Sequence, residues 1–135
     1  MRRTATLLLA FGAILGCNTQ DKATHAEKLT SGTWIYTEYY FKQGHNGKEL
    51  TFKRGRSEND LDLTKNQVTF QKDGTVKEID QFGYSHPGTW RFLEEGKKVE
   101  VKNETGTYIS EIATLTTDTF EFIDHNNNTR GKLAH

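Results

Sequence analysis

The residue best placed to do chemistry is Cys17, the one cysteine of this 135-residue chain. A thiolate is a nucleophile that can form a thioether, and the small Gly16 leaves the peptide bond before Cys17 open to a peptidase. An apolar run over residues 5–16 precedes it, after Arg2 and Arg3. A membrane-spanning helix needs about 20 apolar residues. The shorter run with a basic start is therefore typical of a cleaved secretory signal.

The four residues Ile14-Leu15-Gly16-Cys17 resemble the bacterial lipobox. The resemblance implies that residues 1–16 are a lipoprotein signal peptide and that Cys17 carries a diacylglyceryl group. Two acyl chains hold a protein on a membrane far more stably than one, so the membrane is the first expected partner. The alternative is an unmodified thiol at the end of a cleaved signal. Asn18 is not the aspartate that retains enteric lipoproteins in the inner membrane, which favours, by analogy, the outer membrane of the bacterial envelope, on either face.

The length and charge of the chain bear on its domain count and on one class of partner. The chain has 18 basic and 18 acidic residues and no formal net charge, whereas nucleic-acid binding needs a basic surface. Residues 18–28 are polar and have no strand pattern, which predicts that residues 17–30 form a lipidated cysteine followed by a flexible tether. Residues 31–135 then form one domain.

From Gly32 onward the apolar residues recur with a period of two. Val68 and Phe70 alternate with polar neighbours, as do Val99 and Val101, and such alternation indicates half-buried antiparallel strands. The strand over 75–82 breaks strict alternation, which a β-bulge would restore. No helix is predicted, although residues 54–66 form either a long loop or a short helical turn. The nine predicted strands are 33–42, 49–53, 67–72, 75–82, 87–93, 97–103, 106–115, 118–124 and 129–133.

A weak internal repeat supports this strand count. Gly32-Thr33-Trp34 recurs as Gly88-Thr89-Trp90, and each copy is followed by a Leu-Thr pair and a hairpin. Two four-stranded halves of this kind would close into a barrel without exposed sheet edges. The predicted fold class is therefore all-β, a single small antiparallel up-and-down barrel of about eight strands.

Four motifs follow one another along the domain: Gly32-Thr33-Trp34, the segment 70–75 (Phe-Gln-Lys-Asp-Gly-Thr), Gly88-Thr89-Trp90 and the segment 112–116 (Ile-Ala-Thr-Leu-Thr). In this order they resemble the small lipocalin-like lipoproteins common in Bacteroidetes. In that family the first Gly-x-Trp closes the barrel floor, often under a late basic side chain. The resemblance thus implies that Trp34 forms the floor and that Arg130 lies over its indole. A barrel of about eight strands is either filled by its own side chains or holds one small ligand.

Two sets of side chains are candidates for ligand binding. Aromatic residues on the strands could line a pocket for an apolar or planar ligand, although aromatic residues favour strands in any case. Arg54 and Arg56 could grip an anionic group at the barrel mouth, or pair locally with Glu58 and nearby aspartates. The aromatic candidates are Trp34, Tyr36, Tyr40 and Trp90.

Motifs for catalysis or metal binding are missing from the sequence. The five histidines lack the spacing of metal ligands, and neither a Gly-x-Ser-x-Gly motif nor a phosphate-binding loop is present. Carboxylates such as Glu78 and Asp80 lie on segments where solvated surface is the default. We therefore expect no catalytic residue, no metal and no cofactor, and a protein that is not an enzyme.

The sequence supports two hypotheses about function. The first is a membrane-anchored lipocalin-like lipoprotein that binds a small apolar or amphipathic ligand in the barrel. The second is a filled barrel that acts through its surface, as a protein-interaction or inhibitor module with a partner in the cell envelope.

Overall fold

A computed structural model describes residues 25–42, 47, 49–54 and 63–135. Nine antiparallel strands form one sheet in which β1 also pairs with β9. This pairing joins β1 and the seven strands from β3 through β9 into a closed, eight-stranded up-and-down barrel. β2 is an additional strand beside β1. The predicted fold class is confirmed. The strands are β1 (Thr33–Lys42), β2 (Glu49–Lys53), β3 (Gln67–Phe70), β4 (Thr75–Ile79), β5 (Ser85–Leu93), β6 (Lys98–Asn103), β7 (Gly106–Leu115), β8 (Thr119–Asp124) and β9 (Thr129–Ala134).

The alternating residues fill the interior as their period of two requires. Val68 and Phe70 of β3, Val99 and Val101 of β6 and Leu133 of β9 are all buried. The bounds of β1, β2 and β7 match the sequence prediction, and the other strands differ from it by a few residues. A 3₁₀ turn over Leu63–Lys65 takes up part of the segment for which a helical turn or a long loop was expected.

The bulge predicted in the strand over 75–82 is wrong. β4 pairs in register with both neighbours and ends at Ile79, because Asp80 begins a tight turn. The Asp80 carboxylate accepts hydrogen bonds from the backbone N–H groups of Phe82 and Tyr84, both at 2.9 Å. Bulges lie instead at Thr37 in β1 and at Ala113 in β7, where the register shifts.

A helix that the sequence pattern did not predict closes one end of the barrel. Residues 25–29 are helical, Leu29 is fully buried, and its carbonyl accepts a 2.9 Å hydrogen bond from Trp34 Nε1. His25 Nδ1 lies 3.2 Å from the carbonyl oxygen of Gly96. The predicted tether over 17–30 therefore ends in a packed helix, while residues 1–24 lie outside the described residues. We call this end of the barrel the floor and the opposite end the mouth.

Two glycines allow close approaches that any side chain would block. A Cβ at Gly88 would lie 2.0 Å from the carbonyl oxygen of Lys102, and a Cβ at Gly131 would lie 2.3 Å from the Phe122 ring. The backbone of a paired strand cannot move without breaking its ladder, whereas a ring can turn. The two glycines are therefore needed to different degrees.

We expect Gly88→Ala to destabilise the barrel more than Gly131→Ala. Overpacking a core costs about 1–3 kcal/mol, and occasionally more, so Gly131→Ala should fall in that range and Gly88→Ala at or above its upper end. Urea denaturation followed by tryptophan fluorescence measures both. Ser85→Ala, at an exposed position of the same strand, is the control and should change stability by less than about 0.5 kcal/mol. A Gly88→Ala protein as stable as the native chain would contradict the packing.

Candidate functional site

The barrel interior contains a cavity of about 440 Å³ that extends toward the mouth. Turn residues Thr105 and Asn127 contribute to its wall at that end, so the barrel is not filled by its own side chains. Most of the described lining is apolar or aromatic. The aromatic residues are Tyr36, Tyr39, Phe41, Phe70, Tyr108, Phe120 and Phe122, and the other residues are Val68, Glu78, Val99, Val101, Thr105, Ser110, Asp124, Asn127 and Thr129.

The bulge at Thr37 decides which β1 side chains reach the cavity. Before it, Trp34 and Tyr36 point inward; after it, Tyr39 and Phe41 do so, and the alternate residue Tyr40 points outward. Tyr36 lies edge-on to Phe122 with ring centroids 6.2 Å apart. Burial raises the pKa of the phenol groups of Tyr36 and Tyr39 above the ordinary tyrosine value. Both hydroxyls therefore stay protonated and can donate hydrogen bonds into the cavity.

Tyr40 and Arg130, two predicted site residues, meet on the outside of the barrel. The Tyr40 hydroxyl donates to the Glu38 carboxylate, and the Arg130 guanidinium lies 4.6 Å from the Tyr40 ring centroid while pairing with Glu49. The expectation that Tyr40 lines the pocket is corrected by the bulge. The expectation that Arg130 covers Trp34 is also corrected, because Arg130 alternates with the inward residues Thr129 and Gly131.

Both tryptophans lie toward the floor, outside the described lining of the cavity. Trp34 is fully buried, and the ring that stacks on it, at a centroid distance of 3.9 Å, belongs to His135. Trp90 Nε1 donates a 2.8 Å hydrogen bond to the carbonyl of Gln71 in the turn between β3 and β4. The two indoles therefore do not line the described cavity. Of the four aromatic candidates, Tyr36 alone does so.

The remaining predicted residues are not brought to the described cavity wall. Arg54 follows β2, where its backbone N–H donates to the carbonyl of Thr37 at 3.0 Å, and its side chain is not part of the lining. Arg56 and Cys17 lie outside the described residues. Within the part of the chain that the structure describes, no group of three His, Cys, Asp or Glu side chains could hold a metal ion.

A carboxyl group that the sequence analysis assigned to solvated surface faces the cavity. Glu78 is two residues after the buried Val76 on β4, so both side chains point inward. Burial raises the pKa of Glu78, and nearby His86 partly opposes this effect. The alternation of the strand could have identified this position, because side chains two residues apart on a strand point to the same face and Val76 points inward.

His86 is held between two other carboxylates at the mouth. Its Nε2 lies 2.8 Å from Asp80 Oδ2, and its Nδ1 pairs with Glu104. Asp80 first and Glu104 second raise the pKa of His86, and the same hydrogen bonds lower the pKa of both carboxyl groups. This arrangement ties the turn after β4 to the turn after β6, which fixes one side of the mouth.

The raised pKa of Glu78 predicts a pH-dependent stability difference. The folded chain holds this proton more tightly than the unfolded chain, so the stabilising contribution is complete below the unfolded pKa and is lost as pH rises through the folded pKa. Glu78→Gln, which cannot ionise, should therefore gain stability relative to the native chain as pH rises above the ordinary glutamate pKa of about 4.3. Free energies of unfolding in urea at several pH values measure this. Glu121→Gln, on the outer face between Phe120 and Phe122, is the matched control; equal pH profiles for the two variants would contradict the burial of Glu78.

Comparison with known proteins identifies the fold. No family model and no curated protein matches the sequence. The chain is similar in structure to a DUF4847 family protein from Bacteroides vulgatus, with TM-score 0.54, 17% identity and coverage of 79% of this chain and 94% of that one. It is also similar to a lipocalin-like protein from Bacteroides uniformis, with TM-score 0.55, 12% identity and coverage of 79% and 97%. An uncharacterized protein from Bacteroides eggerthii gives TM-score 0.51, 12% identity and coverage of 76% and 96%. The lipocalin-like fold expected from the sequence motifs is confirmed.

Proposed function

We propose that this chain is a membrane-anchored lipocalin-like lipoprotein that binds a small apolar or amphipathic ligand inside its barrel. The observation that carries the proposal is the cavity of about 440 Å³ toward the mouth. Sites for small molecules have volumes of about 300–1,000 Å³ and mostly apolar walls with a few polar groups. The aromatic lining with Glu78, Ser110 and Thr129 has this composition. The proposed role is binding without catalysis.

The arrangement of the floor is compatible with an anchor at Cys17. Helix 25–29 packs at the floor, so the chain enters the domain at the end opposite the mouth. The residues between Cys17 and His25 can span at most roughly 25 Å. Within the described residues, no helix has the length and apolar character to cross a bilayer. We propose that two acyl chains on Cys17 hold the barrel at the outer membrane of a bacterial envelope, with the mouth facing away from the lipid.

One observation favours a second role that acts through the surface. Phe82 and Tyr84, both 69% exposed, project from the turn after β4 at the mouth. Exposed aromatic side chains held by a fixed turn are typical of protein contacts. A protein partner in the envelope that binds this turn is therefore the alternative function, although the barrel that would display it is not the filled one expected from the sequence.

Ligand binding predicts that the cavity can be loaded and blocked. The neutral fluorophore N-phenyl-1-naphthylamine should gain fluorescence with the purified lipidated protein in zwitterionic nanodiscs, after subtraction of empty nanodiscs. Ser110→Trp adds an indole to the cavity wall and should weaken binding by at least about tenfold, because it removes apolar volume. Thr107→Trp, exposed on the same strand, should bind as the native protein does. The surface role would be favoured if Ser110→Trp bound the fluorophore as tightly as the native protein does and if native mass spectra of protein from its own host showed no bound small molecule.

The anchor predicts a specific loss on substitution of the thiol. Cys17→Ala removes the one cysteine, so the chain should no longer incorporate labelled fatty acid and should leave the membrane fraction. Metabolic labelling and fractionation of cells measure both effects. Asn18→Ala keeps the thiol and should still be labelled. A Cys17→Ala chain that incorporates the label would exclude thioether lipidation at this residue.

A further inference from the structure

The charge of the cavity wall specifies the chemical class of ligand. Two carboxyl groups, Glu78 and Asp124, are among the described lining residues, and none of those residues is Lys, Arg or His. An anionic ligand, of the kind that Arg54 and Arg56 were expected to bind, would need positively charged side chains in the cavity wall. The described part of the cavity thus disfavours anions and leaves neutral or cationic ligands.

Of the two carboxyl groups, Asp124 is occupied by the protein itself. Its Oδ1 accepts hydrogen bonds from the backbone N–H groups of Asn126 and Asn127, at 3.0 and 3.1 Å. Its Oδ2 accepts a 2.8 Å hydrogen bond from the Asn127 side chain. Asp124 therefore holds the turn between β8 and β9, as aspartate does in an Asx turn.

Glu78 has no comparable set of partners among the described residues. Asn103 Nδ2 donates a long hydrogen bond of 3.4 Å to its carboxylate, and no ion pair to it is found in that part of the chain. His86, whose charge acts on Glu78, is already bonded to Asp80 and Glu104. Glu78 is partly buried, and a carboxylate withdrawn from water without a cation costs free energy, so a cation that entered the cavity would recover it.

Aromatic rings complete a site suited to such a cation. Tyr36 lies close enough to Glu78 for the carboxylate to help raise the pKa of its phenol group, and Tyr39, Phe41 and Tyr108 line the same cavity. Ring faces attract ammonium groups, most strongly where water is excluded. We propose that the ligand of this barrel is an organic amine, with its ammonium group at Glu78 and its apolar body among the aromatic side chains. This inference rests on the proposed ligand-binding function.

Three ligands that share one apolar body test the proposal. Isothermal titration of the lipidated protein in zwitterionic nanodiscs, with empty nanodiscs subtracted, compares 4-phenylbutylamine, 4-phenylbutanol and 4-phenylbutyrate at neutral pH. We expect the amine to bind at least about tenfold more tightly than the alcohol, and the carboxylate to bind most weakly. Glu78→Gln should remove the preference for the amine, whereas Glu121→Gln should keep it.

The outcomes separate this proposal from the one on which it rests. An alcohol that binds as tightly as the amine, or a Glu78→Gln protein that keeps the preference, would overturn the assignment of an amine while leaving ligand binding intact. A protein that binds neither these ligands nor N-phenyl-1-naphthylamine would overturn both.

The pH dependence gives an independent measurement. The affinity for 4-phenylbutyltrimethylammonium, whose charge is permanent, should rise with pH as Glu78 ionises and then level off. His86, Glu104 and Tyr36 face Glu78 from β5, the turn after β6 and β1, and of these His86 also loses its charge as pH rises. The His86→Gln protein should therefore keep the rise. A pH-independent affinity in the native protein would contradict a role for the Glu78 carboxylate.

Discussion

Closure of β1 on β9 is the constraint on which the interior of this protein depends. β1 pairs with β9 along one edge, and along its other edge with β3 near the floor and with β2 near the mouth. A bulge at Thr37 divides these two halves. Because side chains alternate along a strand, one extra residue reverses which of them face inward. The seam that closes the barrel thereby brings Tyr36, Tyr39 and Phe41 to the same cavity.

The floor is closed by the helix that precedes β1 and by the residue that follows β9. Trp34 donates its indole N–H to Leu29 of the helix before β1 and stacks on His135 after β9. Its ring also packs against Phe120 at a centroid distance of 5.9 Å. A fully buried indole with its N–H satisfied stabilises this end without an unpaired polar group. The free volume of the barrel accordingly lies toward the mouth.

The period-two pattern predicted the strands well because it records burial, which is a property of the whole barrel. What it did not predict were local events that the sequence marks only weakly. The bulge at Thr37 carries no glycine, and its one mark in the sequence is the succession of two polar residues, Thr37 and Glu38, so Tyr40 was assigned to the wrong face. Arg130 was expected to lie over Trp34, but the alternation of side chains along β9 points Arg130 outward, and His135 stacks on Trp34 instead. The described helical residues 25–29 are too few to show a period, and the fully buried Leu29 packs them against the barrel.

Glu78 shows why the candidate site was the hardest feature to predict. Its position follows from the same alternation that predicts the core, yet a carboxyl group on an inward position breaks the expected pattern of apolar residues. A barrel selected for stability alone would have an apolar side chain there, since a partly buried carboxylate without a cation is costly. The mouth could supply His86 as a counter-charge, but Asp80 and Glu104 hold that imidazole. Residues that break a local rule without compensation within the fold concentrate at functional sites. The compensation for Glu78 is then best sought in a molecule that enters the cavity.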